Sequence, residues 1–115
     1  MTVKFRPYVR EFISNVKKYY NLAVFTASAK EYATQIVNSL DPNQEYISNV
    51  LFRDHCTLER EGSFVKDLRS IVNIDLSRTV IVDNKLISFA YQIENGIPIL
   101  PFYGDKNDTE LKYLL

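Results

Sequence analysis

Two short, unbroken apolar runs, each ending in polar residues able to do chemistry, restrict this chain more than any other feature. Leu22-Ala23-Val24-Phe25 gives way to Thr26-Ala27-Ser28, and Thr79-Val80-Ile81-Val82 gives way to Asp83-Asn84. Four consecutive apolar residues are too few for a buried helix. They lack polar alternation, so they read as strands covered on both faces, as in a parallel sheet. Helical patterns flank the first run. After Pro7, the residues Val9, Phe12, Ile13, Val16 and Tyr20 recur every three or four positions, and Asn21 ends the helix, with Tyr19 and Tyr20 closing it against the core. Ser28 and Glu31 form a capping-box pattern opening a second helix, whose apolar face is Tyr32, Ala33, Ile36, Val37 and Leu40, broken by Asp41-Pro42. Further on, Val50-Leu51-Phe52 predicts another strand, and Cys56 to Arg60 and Ser63 to Lys66 flank Glu61-Gly62 as a small hairpin. Ile97-Pro98-Ile99-Leu100 is a third apolar run, which Pro98 pushes towards a sheet edge, and Asp108-Thr109-Glu110 opens a last helical turn. Alternating helices and strands of this kind predict an α/β domain with a mostly parallel sheet and right-handed crossovers. Ligands in such sheets sit beyond the carboxyl ends of the strands, which directs attention to Thr26-Ala27-Ser28 and Asp83-Asn84.

With 115 residues, 46% of them hydrophobic, the chain fits one domain with a core of its own, spanning 1–115, and disorder of the whole is excluded. Fourteen Lys and Arg balance fourteen Asp and Glu. A neutral chain has no electrostatic footprint for a nucleic-acid backbone, so general DNA or RNA binding is not expected, whereas a single phosphorylated substrate is compatible. Cys56 has no second cysteine to join, which removes an internal disulfide and a multi-cysteine zinc site and points to a reducing compartment. No apolar run reaches the ~20 residues of a membrane span, and the start, Met1 to Pro7, has no signal-peptide core. The reading is a soluble, intracellular protein.

At the first strand end, Thr26 and Ser28 offer hydroxyls beside helix N–H groups, a combination suited to phosphate or carboxylate; the plain reading of Ser28 is an N-cap, which does not account for Thr26. Asp83 and Asn84 supply a carboxylate and an amide oxygen, hard ligands of the type Mg²⁺ takes, or else the same pair makes a turn. Lys66 could neutralise phosphate charge there, and Arg53 could add a bidentate contact; the plain reading of Lys66-Asp67 is a solvated charge pair. His55 and Cys56 are poor partners for each other, since neighbours on an extended segment face opposite ways, and Cys56 reads as structural.

The series Phe25-Thr26-Ala27-Ser28, Phe64-Val65-Lys66-Asp67-Leu68 and Val80-Ile81-Val82-Asp83-Asn84 resembles the small C-terminal-domain phosphatases, the NLI-interacting-factor-like or FCP/SCP family of the haloacid dehalogenase superfamily. Arg6-Pro7, Leu51 to Cys56, Glu94 to Ile99 and Asp108 to Leu111 also match, so the resemblance covers essentially the whole chain. It implies a haloacid-dehalogenase-like parallel sheet with flanking helices and a small β-hairpin. It also implies a Mg²⁺-dependent phosphatase acting on phosphoserine or phosphothreonine in a phosphoprotein substrate through an aspartyl-phosphate. Thr26 would bind the transferring phosphoryl group and Lys66 would neutralise it, with Ser28 and Arg53 as further phosphate-binding residues. Asp83 and Asn84 would complete the metal site, Asn84 as the direct ligand.

The family's Asp-x-Asp-x-Thr motif, which carries the nucleophile and the general acid/base at the end of the first central strand, has no counterpart in these residues. The expectation is an N-terminally truncated domain lacking that strand and inactive by itself, with strand edges left unpaired, re-paired or filled by another segment. A non-catalytic binding module of the same fold, presequence-receptor-like or pseudophosphatase, is the alternative. The substrate protein, the oligomeric state and the choice between nucleus and cytoplasm are left open by these residues.

Overall fold

The computed structural model describes residues 3–114; Met1, Thr2 and Leu115 lie outside the described residues. The chain groups into two compact units. One takes the stretches up to Val24, from Glu31 to Val50 and from Pro101 onward; the other takes Phe25–Lys30 and Leu51–Leu100.

Helices α1 (Val9–Val16), α3 (Glu110–Leu114) and most of α2 (Lys30–Leu40) belong to the first unit, with most of strands β1 (Leu22–Phe25) and β2 (Ile47–Leu51), which pair as a two-stranded sheet. Ile13, Ala33 and Leu111 are its buried apolar residues. Asp41 ends α2 as its sequence predicts: the buried carboxylate accepts the N–H groups of Glu45, Tyr46 and Ile47, so the turn into β2 is satisfied without solvent. The first helix is a turn shorter than its apolar spacing implies. After Val16 the chain continues in tight turns, with Tyr19 N–H donating to the Val16 carbonyl, and Tyr19 (81% exposed) and Tyr20 (56%) stand in solvent instead of closing α1 against the core. Tyr8, just before α1, has a left-handed backbone with φ 70°.

The second unit carries β3 (Thr57–Leu58), β4 (Phe64–Val65), β5 (Ile81–Asp83) and β6 (Gly96–Pro98). Strands β3 and β4 form the expected antiparallel hairpin, pairing Thr57 with Val65 and Leu58 with Phe64. Gly62 closes it with φ 90°, a conformation that costs glycine nothing. Strands β5 and β6 run parallel, Ile81 opposite Gly96 and Asp83 opposite Pro98. Between them in sequence lies a 3-10 segment, Leu86–Asn95, whose helical dihedrals break at Phe89 and Gln92. Leu68, Ile81 and Phe89 form the core, with Ile71 packed against it, and Val65 is fully enclosed.

The structure departs from the sequence expectation at two places, the first being the strands. Among the described residues β1 has only β2 as sheet partner and β5 only β6, so neither is covered as the unbroken apolar runs imply: Ala23 is exposed and so is Val82. A sheet two strands wide has free edges along both strands. The second concerns Ser28. Because α2 begins at Lys30, Ser28 stands two residues before the helix and not at its N-cap.

Candidate functional site

All six candidate residues fall in the second unit. The first cluster forms where β1 ends. Thr26 N–H donates to the Leu51 carbonyl, extending the pairing, and the Thr26 hydroxyl then accepts the Ser28 N–H at 3.1 Å. This local turn lifts the chain off the strand before α2 begins, and it leaves the hydroxyl hydrogen of Thr26 available to a further acceptor. The segment after β2 locks onto the same turn. Arg53 N–H donates to the Ser28 carbonyl at 2.9 Å, and Arg53 Nε donates to the Ala27 carbonyl at 2.8 Å. The guanidinium of this exposed residue lies 5.6 Å from the centre of the Phe64 ring, within reach of a cation–π contact.

The second cluster joins β4 to β5. Lys66 does not pair with its neighbour Asp67, as the plain reading of that dipeptide has it; its ammonium reaches Asp83 Oδ2 at 2.5 Å. Both side chains are largely shielded, with 13% and 7% of their surface exposed. Asp83 Oδ1 accepts the Lys85 N–H at 2.9 Å, and its carbonyl accepts the Ile99 N–H. The carboxylate is thus turn-former and ion-pair partner at once, while the neighbouring Asn84 is exposed. Asp67 instead takes Arg69, whose Nε donates at 3.0 Å to Oδ1 and whose outer nitrogen donates at 2.8 Å to Oδ2.

Cys56 connects the two clusters. Its thiol donates to the Thr26 carbonyl at 3.7 Å, and Lys66, Arg53 and Asp83 are all near enough to act on it through their charges. Burial pushes the thiol pKa up; the two cations oppose that shift and Asp83 reinforces it. His55 is structural: its Nδ1 accepts the Phe52 N–H at 3.0 Å and its ring sits edge-on to Phe52.

The oxygen donors at the end of β5 are hard ligands of the kind Mg²⁺ prefers. Asp83 is already engaged by Lys66 and Lys85, however, so the exposed Asn84 amide is the less encumbered of the two. No three His, Cys, Asp or Glu side chains cluster as a metal cage among the described residues. A cation here would therefore draw most of its ligands from phosphate, water or further chain.

Gln92 is a residue that sequence reasoning passed over. Its side chain, 8% exposed, donates to Asp67 Oδ1 at 2.8 Å and accepts the Leu68 N–H at 3.0 Å. An amide inside the apolar stretch Leu86 to Ile93, four residues after Ser88, is the signal that could have marked it.

A family model described as NLI interacting factor-like phosphatase matches residues 1–115. The chain is 47% identical over 109 residues to CTD small phosphatase-like protein 3 of Caenorhabditis elegans, covering 95% of this chain and 37% of that protein. It is 42% identical over 110 residues to CTD nuclear envelope phosphatase 1 of Xenopus tropicalis, covering 96% of this chain and 44% of that protein. Among solved structures, Fcp1, described as an essential RNA polymerase II CTD phosphatase, superposes with a TM-score of 0.72 at 27% identity over 87% of this chain and 27% of that one. The chain spans less than half the length of each of these relatives.

Proposed function

Because the chain belongs to the NLI interacting factor-like phosphatase family, with its haloacid-dehalogenase-like α/β fold, we propose that it is the substrate-phosphate half of a protein phosphatase active site. The substrate is a phosphoserine or phosphothreonine in a phosphoprotein. The observation that carries this reading is the shielded Lys66–Asp83 pair, which fixes a cation at the end of β5 near the Thr26 turn through Cys56. In the reaction the Thr26 hydroxyl donates to a phosphoryl oxygen, and Ser28 and the outer N–H groups of Arg53 face the same anion. Lys66 neutralises the charge that spreads over the equatorial oxygens, where phosphoryl transfer gains most of its help. Asn84 and Asp83 would hold Mg²⁺, which would supply Lewis-acid stabilisation of the phosphate. The aspartate that attacks phosphorus, and the one that protonates the departing serine or threonine oxygen, are supplied by an Asp-x-Asp-x-Thr segment that these 115 residues do not contain. This chain alone is inactive.

The test is phosphate release from a phosphoserine peptide by the full-length protein with Mg²⁺. Activity should vanish with EDTA, fall by about 100-fold or more in Lys66→Ala, as for removal of other oxyanion-stabilising groups, and be absent from the 115-residue chain. A full-length protein that releases no phosphate from phosphopeptides or p-nitrophenyl phosphate under these conditions overturns the enzyme reading in favour of a binding module. By analogy with the Xenopus relative's name, the protein is nucleus-associated; a fluorescent fusion distributed evenly through the cytoplasm contradicts that.

A further inference from the structure

We propose that Gln92 is a positioning residue for Lys66, acting through the backbone that carries it; this rests on the reading of Lys66 as the cation that meets phosphate. Lys66 lies just beyond β4, where sheet pairing has ended, so nothing in the hairpin itself fixes the ammonium. Asp83 holds the ammonium, and the segment Leu86–Asn95 fixes the backbone that carries it. The Ser88 carbonyl accepts the Lys66 N–H at 2.8 Å, and the Gln92 amide grips the next two residues, donating to the Asp67 carboxylate and accepting the Leu68 N–H. One buried side chain therefore satisfies two groups directly after Lys66, with both halves of its amide used. The same segment begins just after Asp83 and Asn84 and leads into β6, which pairs with β5. Lysine and carboxylate are thus referred to a single piece of backbone. The helical dihedrals break at Gln92 itself, with φ −135° and ψ 61°. Arg69 alone would hold the Asp67 carboxylate, but only Gln92 ties it to the Leu68 N–H, so Gln92 fixes the backbone from which Lys66 reaches Asp83.

The experiment compares Gln92→Met with Phe89→Leu in the full-length protein. The first removes both amide contacts at similar side-chain volume; the second loosens the core of the same segment without touching them. Two readouts are taken: kcat and KM for p-nitrophenyl phosphate, and the ¹⁵N–¹H resonance of the Lys66 ammonium, assigned by its loss in Lys66→Arg. Gln92→Met should lower kcat about 10-fold or more, as small displacements of positioned groups do, with KM little changed and the ammonium resonance shifted or exchange-broadened. Phe89→Leu should lower the melting temperature and leave both readouts in place below it. Unchanged kcat and resonance in Gln92→Met, or equal changes in Phe89→Leu, overturn the proposal. If the unsubstituted protein proves inactive, the phosphatase reading fails, and a resonance shift confined to Gln92→Met still supports positioning.

Discussion

Asp67 binds its proton unusually weakly. Hydrogen bonds from the Arg69 side chain, opposed by partial burial and aided by the Arg69 N–H and Gln92, hold its pKa at about 2. An unfolded aspartate titrates near pH ~3.9, so the folded state gains stability from this ionised group above that pH and loses it as the pH falls towards 2. Asp41 and Asp108 are also lowered and act in the same direction: burial of Asp41 is outweighed by the N–H groups of Ile47, Tyr46 and Glu45, and Arg6 holds Asp108 ionised. Melting temperatures measured from about pH 6 to about pH 2 should therefore fall, and the fall should be shallower in Asp67→Asn; an unchanged slope argues that Asp67 is not the group responsible. Lys66 and Asp83 behave differently, because removing either leaves a shielded charge alone. Lys66→Met should cost about 3 kcal/mol in urea unfolding, and adding Asp83→Leu should recover part of it; additive losses argue against a coupled pair. The raised pKa of Cys56 makes it a slow thiol, so iodoacetamide at neutral pH should label the native protein much more slowly than the urea-unfolded chain.

Strand β6 illustrates how a single element sets the position of the site. Gly96 opens it opposite Ile81, and a Cβ at Gly96 would overlap the Phe89 ring, which is 4% exposed in the core. Gly96→Ala therefore forces the ring or the strand to move. Its cost should be about 1–3 kcal/mol by chemical denaturation, and Gly96→Ala combined with Phe89→Leu should be less destabilised than the sum of the two; strict additivity removes the steric explanation. The strands and the hairpin were legible because their signals are local: unbroken apolar runs for β1 and β5, and Glu61-Gly62 between two extended stretches for β3 and β4. The 3-10 segment Leu86–Asn95 was not legible. Its fold depends on tertiary partners, Ser88 on Lys66 and Gln92 on Asp67 and Leu68, which no short-range spacing encodes. Ser28 misled for the converse reason. Its capping-box spacing with Glu31 is genuine, but the Thr26 hydroxyl takes the Ser28 N–H and delays the helix to Lys30.

At the scale of the whole chain, residues 102 positions apart are fastened together. Arg6 donates from Nε and an outer nitrogen to the two oxygens of Asp108, at 2.8 and 3.0 Å, and Asp108 Oδ1 also accepts the Glu110 N–H at the start of α3. Asp108→Ala should lower the melting temperature more than Asp108→Asn, which keeps an acceptor for Glu110 while losing the charge of the fork; equal losses in the two would mean that the Arg6 contact alone matters. The sequence by itself determined which runs become strands, where the hairpin turns, and which residue types stand at the ends of β1 and β5, because periodicity and turn chemistry act over a few neighbouring residues. Only the tertiary structure decided that Lys66 turns away from Asp67 to Asp83, that Cys56 lies between the two strand ends, and that Gln92 holds the backbone beside Lys66. Those choices are made between groups 17 to 30 residues apart. A charge settles on whichever partner the fold brings within reach in shielded surroundings, and adjacency in sequence confers no advantage of its own.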